Sequence, residues 1–217
     1  MTTPLLGTII KAVAEIKNVP VEFKQNRLKP VNAQAKELRK LIRKAKFTAF
    51  GTHYHFEELL ESEDLLEAFR KNVPVFDYNK MHDEWWYRAL EGETDVAWPG
   101  KIRYFALSSG TSEAASKYIP ITKELNSKIT KASIRQLVSA VRYDFPAEFY
   151  NKGMLMIGGS TDLQYSRQGG YYSGDLSGIS ASRIPKWFEL FYKPGRRISK
   201  IKNWSEKIEE MVKSAPT

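Results

Sequence analysis

The stretch IRYFALSSGTSEAASKYIPIT (residues 102–122) places a loop rich in hydroxyl side chains between two apolar runs. The first run, IRYFAL (102–107), has the composition of a strand and leads directly into the loop. The second, YIPIT (118–122), is predicted to be extended because Pro120 disfavours the helical conformation of the residue before it. The sequence therefore predicts a strand–loop–strand unit.

The loop itself combines three features of phosphate-binding segments. Glycine lets backbone N–H groups approach an anion, hydroxyls donate hydrogen bonds without bulk, and a lysine neutralises charge. The loop is not a Walker A motif, because no Gly-Lys-Ser/Thr begins a helix, and it is not a dinucleotide fingerprint, because it lies between two extended segments. Composition alone leaves two interpretations open: a phosphate-binding loop, or an ordinary Ser/Gly hairpin loop with an exposed lysine.

Helical and strand patterns alternate along the rest of the chain. Helices are predicted over residues 33–47, over 56–72 as one or two helices joined near Ser62, over 80–92, after Thr122, and from Asn203 onward, where Asn203 and Glu206 have capping-box spacing. Strands are predicted at VPVFDY (73–78) and at GMLMIGG (153–159), the latter as a buried strand closed by two glycines. The alternation favours an α/β fold with strands flanked by helices.

Length and composition describe an ordinary globular chain. Its 217 residues are enough for one sizeable core or two subdomains. It contains no cysteine, which excludes disulfides and cysteine nucleophiles and suits a reducing compartment. The first apolar run, PLLGTIIKAVAEI, is too short and too charged to span a membrane, and no cleavage site follows it. We therefore expect a soluble cytoplasmic protein without a membrane partner.

The net charge of +9 raises the alternative of a nucleic-acid-binding domain. The basic residues are spread out, however, and their densest groups are KELRKLIRKAK (36–46), KPGRR (193–197) and KIKNW (200–204). Solvated surface is the favoured interpretation of each group, and nucleic acid is the less favoured partner.

Five segments together resemble one known family. FTAFGTHYHF (47–56), VPVFDYNKM (73–81), WPGKIRYFALSSGTS (98–112), the lysine and strand that follow, and YYSGDLSGI (171–179) occur in the order found in the N-terminal region of the auxin-responsive Gretchen Hagen family of acyl-acid amido synthetases, particularly its bacterial members. The SSGTS loop with its lysine resembles the phosphate loop of acyl-adenylating enzymes in general.

The resemblance implies an activity and a set of site residues. Members of this family use ATP and Mg²⁺ to convert a carboxylic acid to an acyl-adenylate, which the amine of an amino acid then attacks. Nucleotide phosphate binding falls by residue match to Ser108, Ser109, Gly110, Thr111, Ser112 and Lys117. Arg135 matches loosely an arginine that meets the acid's carboxylate in plant relatives, although a surface arginine is the favoured interpretation. The Gly158-Gly159-Ser160 run, which ends the predicted buried strand, is a further candidate border of the acyl site.

The sequence also departs from the family pattern. The spacer before Lys117 is EAAS, where plant members usually carry a glycine, and the later Tyr-Arg-x-Gly-Asp motif is not found. We interpret YYSGD (171–175) as part of the N-terminal GDLSGI element, not as that ribose-binding motif. The chain is therefore expected to be the N-terminal portion of a synthetase domain, without the C-terminal half and lid domain, and to be inactive alone. The alternative is a catalytically inactive fragment that acts as a binding or regulatory module.

Two histidines form the only other candidate site. His53 and His55 could face one side of a strand, where a metal might bind, but no third ligand accompanies them in the sequence. Structural or surface histidines are the favoured interpretation, and no metal site is predicted.

Overall fold

The computed structural model describes residues 7–16, 30–108, 117–184, 186–189 and 191–214. The helices are α1 (7–16), α2 (Pro30–Ala45), α3 (Ala49–His53), α4 (Phe56–Glu61), α5 (Leu65–Asn72), α6 (Tyr78–Met81), α7 (Tyr87–Leu90), α8 (Lys123–Ser139), α9 (Leu176–Ser182), α10 (Arg196–Ser199) and α11 (Trp204–Lys213). A π-helical turn (His82–Trp86) joins α6 to α7, and 3₁₀ turns cover Ala140–Tyr143, Ala147–Asn151 and Lys186–Phe188. The strands are β1 (Tyr104–Leu107), β2 (Tyr118–Pro120), β3 (Met154–Leu155), β4 (Gln164–Ser166), β5 (Tyr171–Gly174) and β6 (Tyr192–Lys193). The predicted mixture of helices and strands is confirmed.

The chain divides into two compact units. One, here called the hairpin unit, takes its described residues from 28–122 and 165–173. The other, here called the cavity unit, takes its described residues from the N-terminal 27 positions, from 123–164 and from 174–217. Both units are discontinuous in sequence, so each depends on contacts between distant segments.

Two apolar clusters form the core of the hairpin unit. The first packs α2, α4 and α5 around Ile42, Phe56 and Leu65. The second packs the π-helical turn against β1, with Trp85 and Phe105 at its centre. Trp85 is buried.

The main sheet has the strand order β2-β1-β5-β4. β1 and β2 are antiparallel, with Phe105 opposite Pro120 and Leu107 opposite Tyr118. The predicted strand–loop–strand unit is therefore a β-hairpin whose inner strand is covered by the second apolar cluster. This burial fixes the register, because a shift by one residue would expose Phe105.

A short connection between α2 and α3 depends on Thr48 and Gly51. The buried Thr48 hydroxyl donates to the Ala45 carbonyl (2.7 Å) and accepts from the Gly51 amide (3.0 Å), so it ends one helix and caps the next. A β-carbon added to Gly51 would lie 2.1 Å from the Ala45 carbonyl oxygen. Only glycine fits this close approach.

Replacing Gly51 by alanine is therefore expected to lower the free energy of unfolding by about 2 kcal/mol or more, because the atom it meets belongs to backbone that cannot turn aside. Urea unfolding followed by circular dichroism measures the change. Thr52→Ala, one position along on the exposed side of α3, is the matched control and should change stability by less than about 0.5 kcal/mol. Equal effects of the two substitutions would contradict the packing argument.

The strand prediction at 73–78 is wrong. The Val73 amide donates to the Phe69 carbonyl (2.9 Å) and ends α5, and the Asp77 carboxylate accepts from the Lys80 amide (2.8 Å) and caps α6. The segment between them is a helix-to-helix connection, and Val75 is 94% exposed. Its β-branched and aromatic residues suggested a strand, but the helix caps on both sides determine its conformation.

The prediction of a buried strand at 153–159 is wrong in extent and in burial. Only Met154 and Leu155 form a strand, which pairs in parallel with β6. Leu155 and Ile157 are both more than half exposed. A two-stranded sheet has too few neighbours to cover both of its faces, so apolar composition alone did not ensure burial here.

Helix boundaries followed the sequence more closely. The predicted helix at 56–72 is two helices that meet near Ser62, and the helix at 80–92 is present with its π-helical turn. Asn203 caps α11, since its side-chain oxygen accepts from the Glu206 amide at 3.0 Å. Within the described residues, no helix combines the length and apolarity needed to cross a membrane.

Candidate functional site

The first candidate site is the loop between β1 and β2, in the hairpin unit. The Ser108 amide donates to the Lys117 carbonyl at 3.1 Å, continuing the antiparallel pairing by one step beyond the strands. The two ends of the predicted phosphate loop are therefore held together by the sheet. Ser109, Gly110, Thr111 and Ser112 lie outside the described residues.

Helix α6 supports Lys117 through one aromatic side chain. The Lys117 ammonium lies 5.0 Å from the centre of the Tyr78 ring, within the range of a cation–π contact. The Tyr78 hydroxyl accepts a hydrogen bond from the Tyr118 amide at 2.9 Å. Lys117 is exposed, so its charge is available to a ligand at the loop. The sequence analysis did not identify Tyr78, because it lies 40 positions from Tyr118 along the chain.

The second candidate site is a cavity of about 460 Å³ in the cavity unit. Its walls come from α8, α9 and α11 and from the segment after β3, and they are largely apolar: Ile129, Met156, Ile157, Leu176 and Met211. Gly158 and Gly159 also line it, and the role predicted for this glycine run at an acyl site stays a prediction. A cavity of this size and lining suits a small, mostly apolar molecule.

Lys207 is the cation of this cavity. The residue is 3% exposed, and its ammonium donates to the Gly158 carbonyl at 3.0 Å and lies 5.2 Å from the centre of the Trp204 ring. Burial lowers the pKa of Lys207, and the negative charge of Asp175 partly opposes this shift. Within the described residues Lys207 forms no salt bridge. Of its three N–H donors, one has an acceptor in the protein, the Gly158 carbonyl.

Two of the hydroxyls that line the cavity, those of Tyr192 and Ser199, form hydrogen bonds within the protein. The Ser199 hydroxyl donates to the Gly195 carbonyl at 2.6 Å, so its contact with the Tyr192 hydroxyl, also 2.6 Å, uses the tyrosine proton. Each hydroxyl has therefore committed its single proton. Lys207 is the one cation among the described residues that line the cavity, and it has N–H donors without an acceptor in the protein.

Sequence reasoning missed Lys207, although a signal was present. Trp204, Lys207 and Met211 follow the i, i+3, i+7 spacing that places side chains on one face of α11. A lysine on the apolar face of a helix indicates a charge that is buried or lies at the edge of an apolar region.

Arg135 and Asp175, which the sequence also singled out, are not among the residues that line the cavity. Arg135 is exposed on α8. Asp175 precedes α9, where its carboxylate lies against Gly159 so closely that a β-carbon there would be 2.1 Å away. The predicted contact of Arg135 with an acid stays a prediction.

The two histidines do not form a pair. His53 stacks edge-on against Tyr54 and Trp85, whereas His55 starts α4 in a left-handed conformation and lies 3.3 Å from Glu58. Among the described residues, no group of three His, Asp or Glu side chains is arranged to hold a metal ion.

Several residues of the basic groups make contacts within the protein. Arg39 donates to the Leu60 carbonyl at 2.8 Å, and Lys46 pairs with Glu57 at 2.8 Å. In the KPGRR segment, Arg196 pairs with Glu189 and Arg197 with Glu210. Such pairing reduces the positive charge that these side chains offer to a polyanion.

Comparison with known proteins gives one family match and a similarity in fold to a solved structure. The profile of the GH3 family N-terminal domain matches residues 21–207. Among solved structures, the chain is similar to one described as GH3.15 acyl acid amido synthetase, with a TM-score of 0.68 and 16% sequence identity. The similarity covers 91% of this chain and 32% of that one, so the chain spans about a third of the length of this relative. A search of curated proteins returned no match.

Proposed function

The chain belongs to the GH3 family, and from this premise we propose that it supplies the phosphate-binding part of an ATP-dependent acyl acid amido synthetase. In this proposal the loop from Ser108 to Lys117 binds the phosphates of ATP. The small-molecule partners are a carboxylic acid and an amino acid.

The observation that supports the proposal most directly is the closed hairpin. The hydrogen bond between Ser108 and Lys117 holds the loop ends together, and Tyr78 supports the lysine on the adjacent strand. Glycine and hydroxyl residues supply the backbone and side-chain donors that phosphate groups favour, and in this proposal the paired loop ends position those donors. Fixed donors stabilise developing charge without reorganising during the reaction.

The chemistry assigned to the loop follows from where charge develops. A carboxylate oxygen attacks the α-phosphorus of ATP, the bond to the bridging oxygen breaks, and pyrophosphate leaves with the electron pair. The amino-acid nitrogen then attacks the acyl carbon, AMP leaves, and the nitrogen loses a proton to give the amide. Lys117 and the loop hydroxyls would neutralise the negative charge that builds on the departing pyrophosphate.

We propose that Mg²⁺ binds together with the phosphates of ATP. Mg²⁺ is commonly held by substrate phosphates together with one or two carboxylates. Because no three-residue metal site is found in the described part of the chain, we assign the ion no ligand here and no separate step.

ATP–pyrophosphate exchange tests the proposal. The native gene product, given Mg²⁺ and a panel of acids such as benzoate, phenylacetate, 4-phenylbutyrate and decanoate, is expected to incorporate labelled pyrophosphate into ATP with at least one of them. The 217-residue chain alone is expected to give no exchange, because it spans about a third of its solved relative.

Each outcome has a defined meaning. Exchange by the 217-residue chain would overturn the expectation that it is inactive alone. No exchange by the native gene product with any acid, while the protein remains folded by circular dichroism, would count against the synthetase and favour a binding or regulatory module.

A further inference from the structure

We propose that Lys207 binds the carboxylate of a small apolar acid whose body fills the cavity lined by α8, α9 and α11. This inference deepens the proposed function, and rests on it, by placing the acid substrate's recognition on a residue outside the phosphate loop. The site lies wholly within the cavity unit, in described residues.

The ammonium group of Lys207 lies at the wall of the cavity. Lys207 and the Gly158 carbonyl that accepts its hydrogen bond both line the cavity. The side chain is 97% removed from solvent, being 3% exposed. A buried cation with one protein acceptor has donors that favour an anionic partner in the same space.

The cavity lining indicates the chemistry of the ligand. One cation faces the cavity, and the hydroxyls of Tyr192 and Ser199 have already committed their protons to each other and to Gly195. A single ammonium matches the single charge of a carboxylate better than the double charge of a phosphate monoester. The apolar walls, including Ile129, Met156 and Leu176, match an aromatic or aliphatic body.

The positive charge of Lys207 has a nearby negative charge but no direct ion pair. Asp175 is the acidic group whose negative charge acts on Lys207, but its carboxylate makes no salt bridge with the lysine. The carboxylate lies instead against the backbone of Gly159. An incoming acid would therefore supply the direct ion pair that Asp175 does not make.

The test compares an acid with its uncharged amide. Isothermal titration calorimetry would measure binding of 4-phenylbutyrate and of 4-phenylbutyramide to the 217-residue chain, without ATP. The unaltered chain should bind the acid more tightly than the amide. Lys207→Met, which keeps an unbranched side chain of similar length and removes the charge, should weaken acid binding about tenfold or more and change amide binding less than about twofold.

Two further variants distinguish the effect of the Lys207 charge from the effect of cavity volume. Lys213→Met, at the exposed end of the same helix where Lys213 pairs with Glu209, should leave both affinities unchanged. Ser180→Phe, which narrows the cavity and retains the lysine, should weaken both probes to a similar degree. Ser180→Phe also tests the site if Lys207→Met does not fold.

The proposal is overturned if Lys207→Met binds the acid as tightly as the unaltered chain, if neither probe binds at millimolar concentration, or if Arg135→Met removes acid binding and Lys207→Met does not. These failures are distinct from failure of the synthetase. Acid binding that depends on Lys207, with no pyrophosphate exchange by the native gene product, would retain the site and refute the proposed function. Pyrophosphate exchange by the native gene product that Lys207→Met leaves unaffected would retain the proposed function and refute the site.

Discussion

Replacing Ser109 and Lys117 together by alanine is expected to lower ATP–pyrophosphate exchange by the native gene product about a hundredfold or more. The resemblance assigns both residues to the phosphates of ATP, and loss of one fixed donor to developing charge typically costs a factor of about 100 to 1,000. In the proposed function, Lys117 also supplies a positive charge to the departing pyrophosphate. The loss should appear in the exchange rate with every acid that the protein accepts.

The control for this prediction is Lys71→Ala. Lys71 is exposed near the end of α5, in the same unit as the loop but remote from it in sequence, and its removal changes net charge as Lys117→Ala does. Exchange by Lys71→Ala should match that of the unaltered protein. A double variant at the loop that retains full exchange would refute the assignment of phosphate binding to this segment.

The same double variant distinguishes the nucleic-acid alternative. A basic nucleic-acid-binding domain would bind DNA or RNA with an affinity that falls steeply as salt concentration rises. Electrophoretic mobility shifts at two salt concentrations would detect this. Salt-sensitive binding that survives the change at Ser109 and Lys117, together with no exchange activity, would favour that alternative over the synthetase.

Phe105→Ala is expected to lower the free energy of unfolding by about 3–5 kcal/mol. Phe105 is fully buried, and its ring packs edge-on against Tyr171 at 4.8 Å between ring centres and against Tyr118 at 6.5 Å. Truncation would remove these contacts and leave a cavity between β1 and its neighbours. Urea unfolding monitored by circular dichroism measures the loss.

Val75→Ala is the control for this substitution. Val75 belongs to the same unit but is 94% exposed, so its truncation should change stability by less than about 0.5 kcal/mol. Because β1 leads directly to Ser108, we also expect Phe105→Ala to impair the loop by loosening the strand that holds it. A loss of stability below about 1 kcal/mol would show that β1 is not anchored by this ring.

The hairpin and the start of α11 were predicted from residues that are close in sequence. Pro120, the two apolar runs and the loop between them predicted the hairpin, and Asn203 predicted the start of α11. These features depend on residues that are close in sequence, where backbone preferences and capping hydrogen bonds act directly. The family resemblance used the same kind of short, ordered motifs and is confirmed by the match over residues 21–207.

Burial was predicted less well, because it depends on partners that are distant in sequence. The composition of the GMLMIGG run predicts burial, yet Leu155 and Ile157 are exposed beside a two-stranded sheet. The composition of the VPVFDY run predicts a strand, yet capping contacts at Val73 and Asp77 make it a connection between helices. In both segments the neighbours outweighed the intrinsic preference of the residues.

The hairpin, the start of α11, the family and the composition of the predicted phosphate loop follow from the sequence, because each is encoded in a short run of residues. The burial of Lys207 at the wall of a cavity depends instead on tertiary contacts. Its hydrogen-bond acceptor, Gly158, lies 49 positions away. A lysine in an amphipathic helix is normally solvated, and its burial here follows from the packing of segments that meet only when the chain folds.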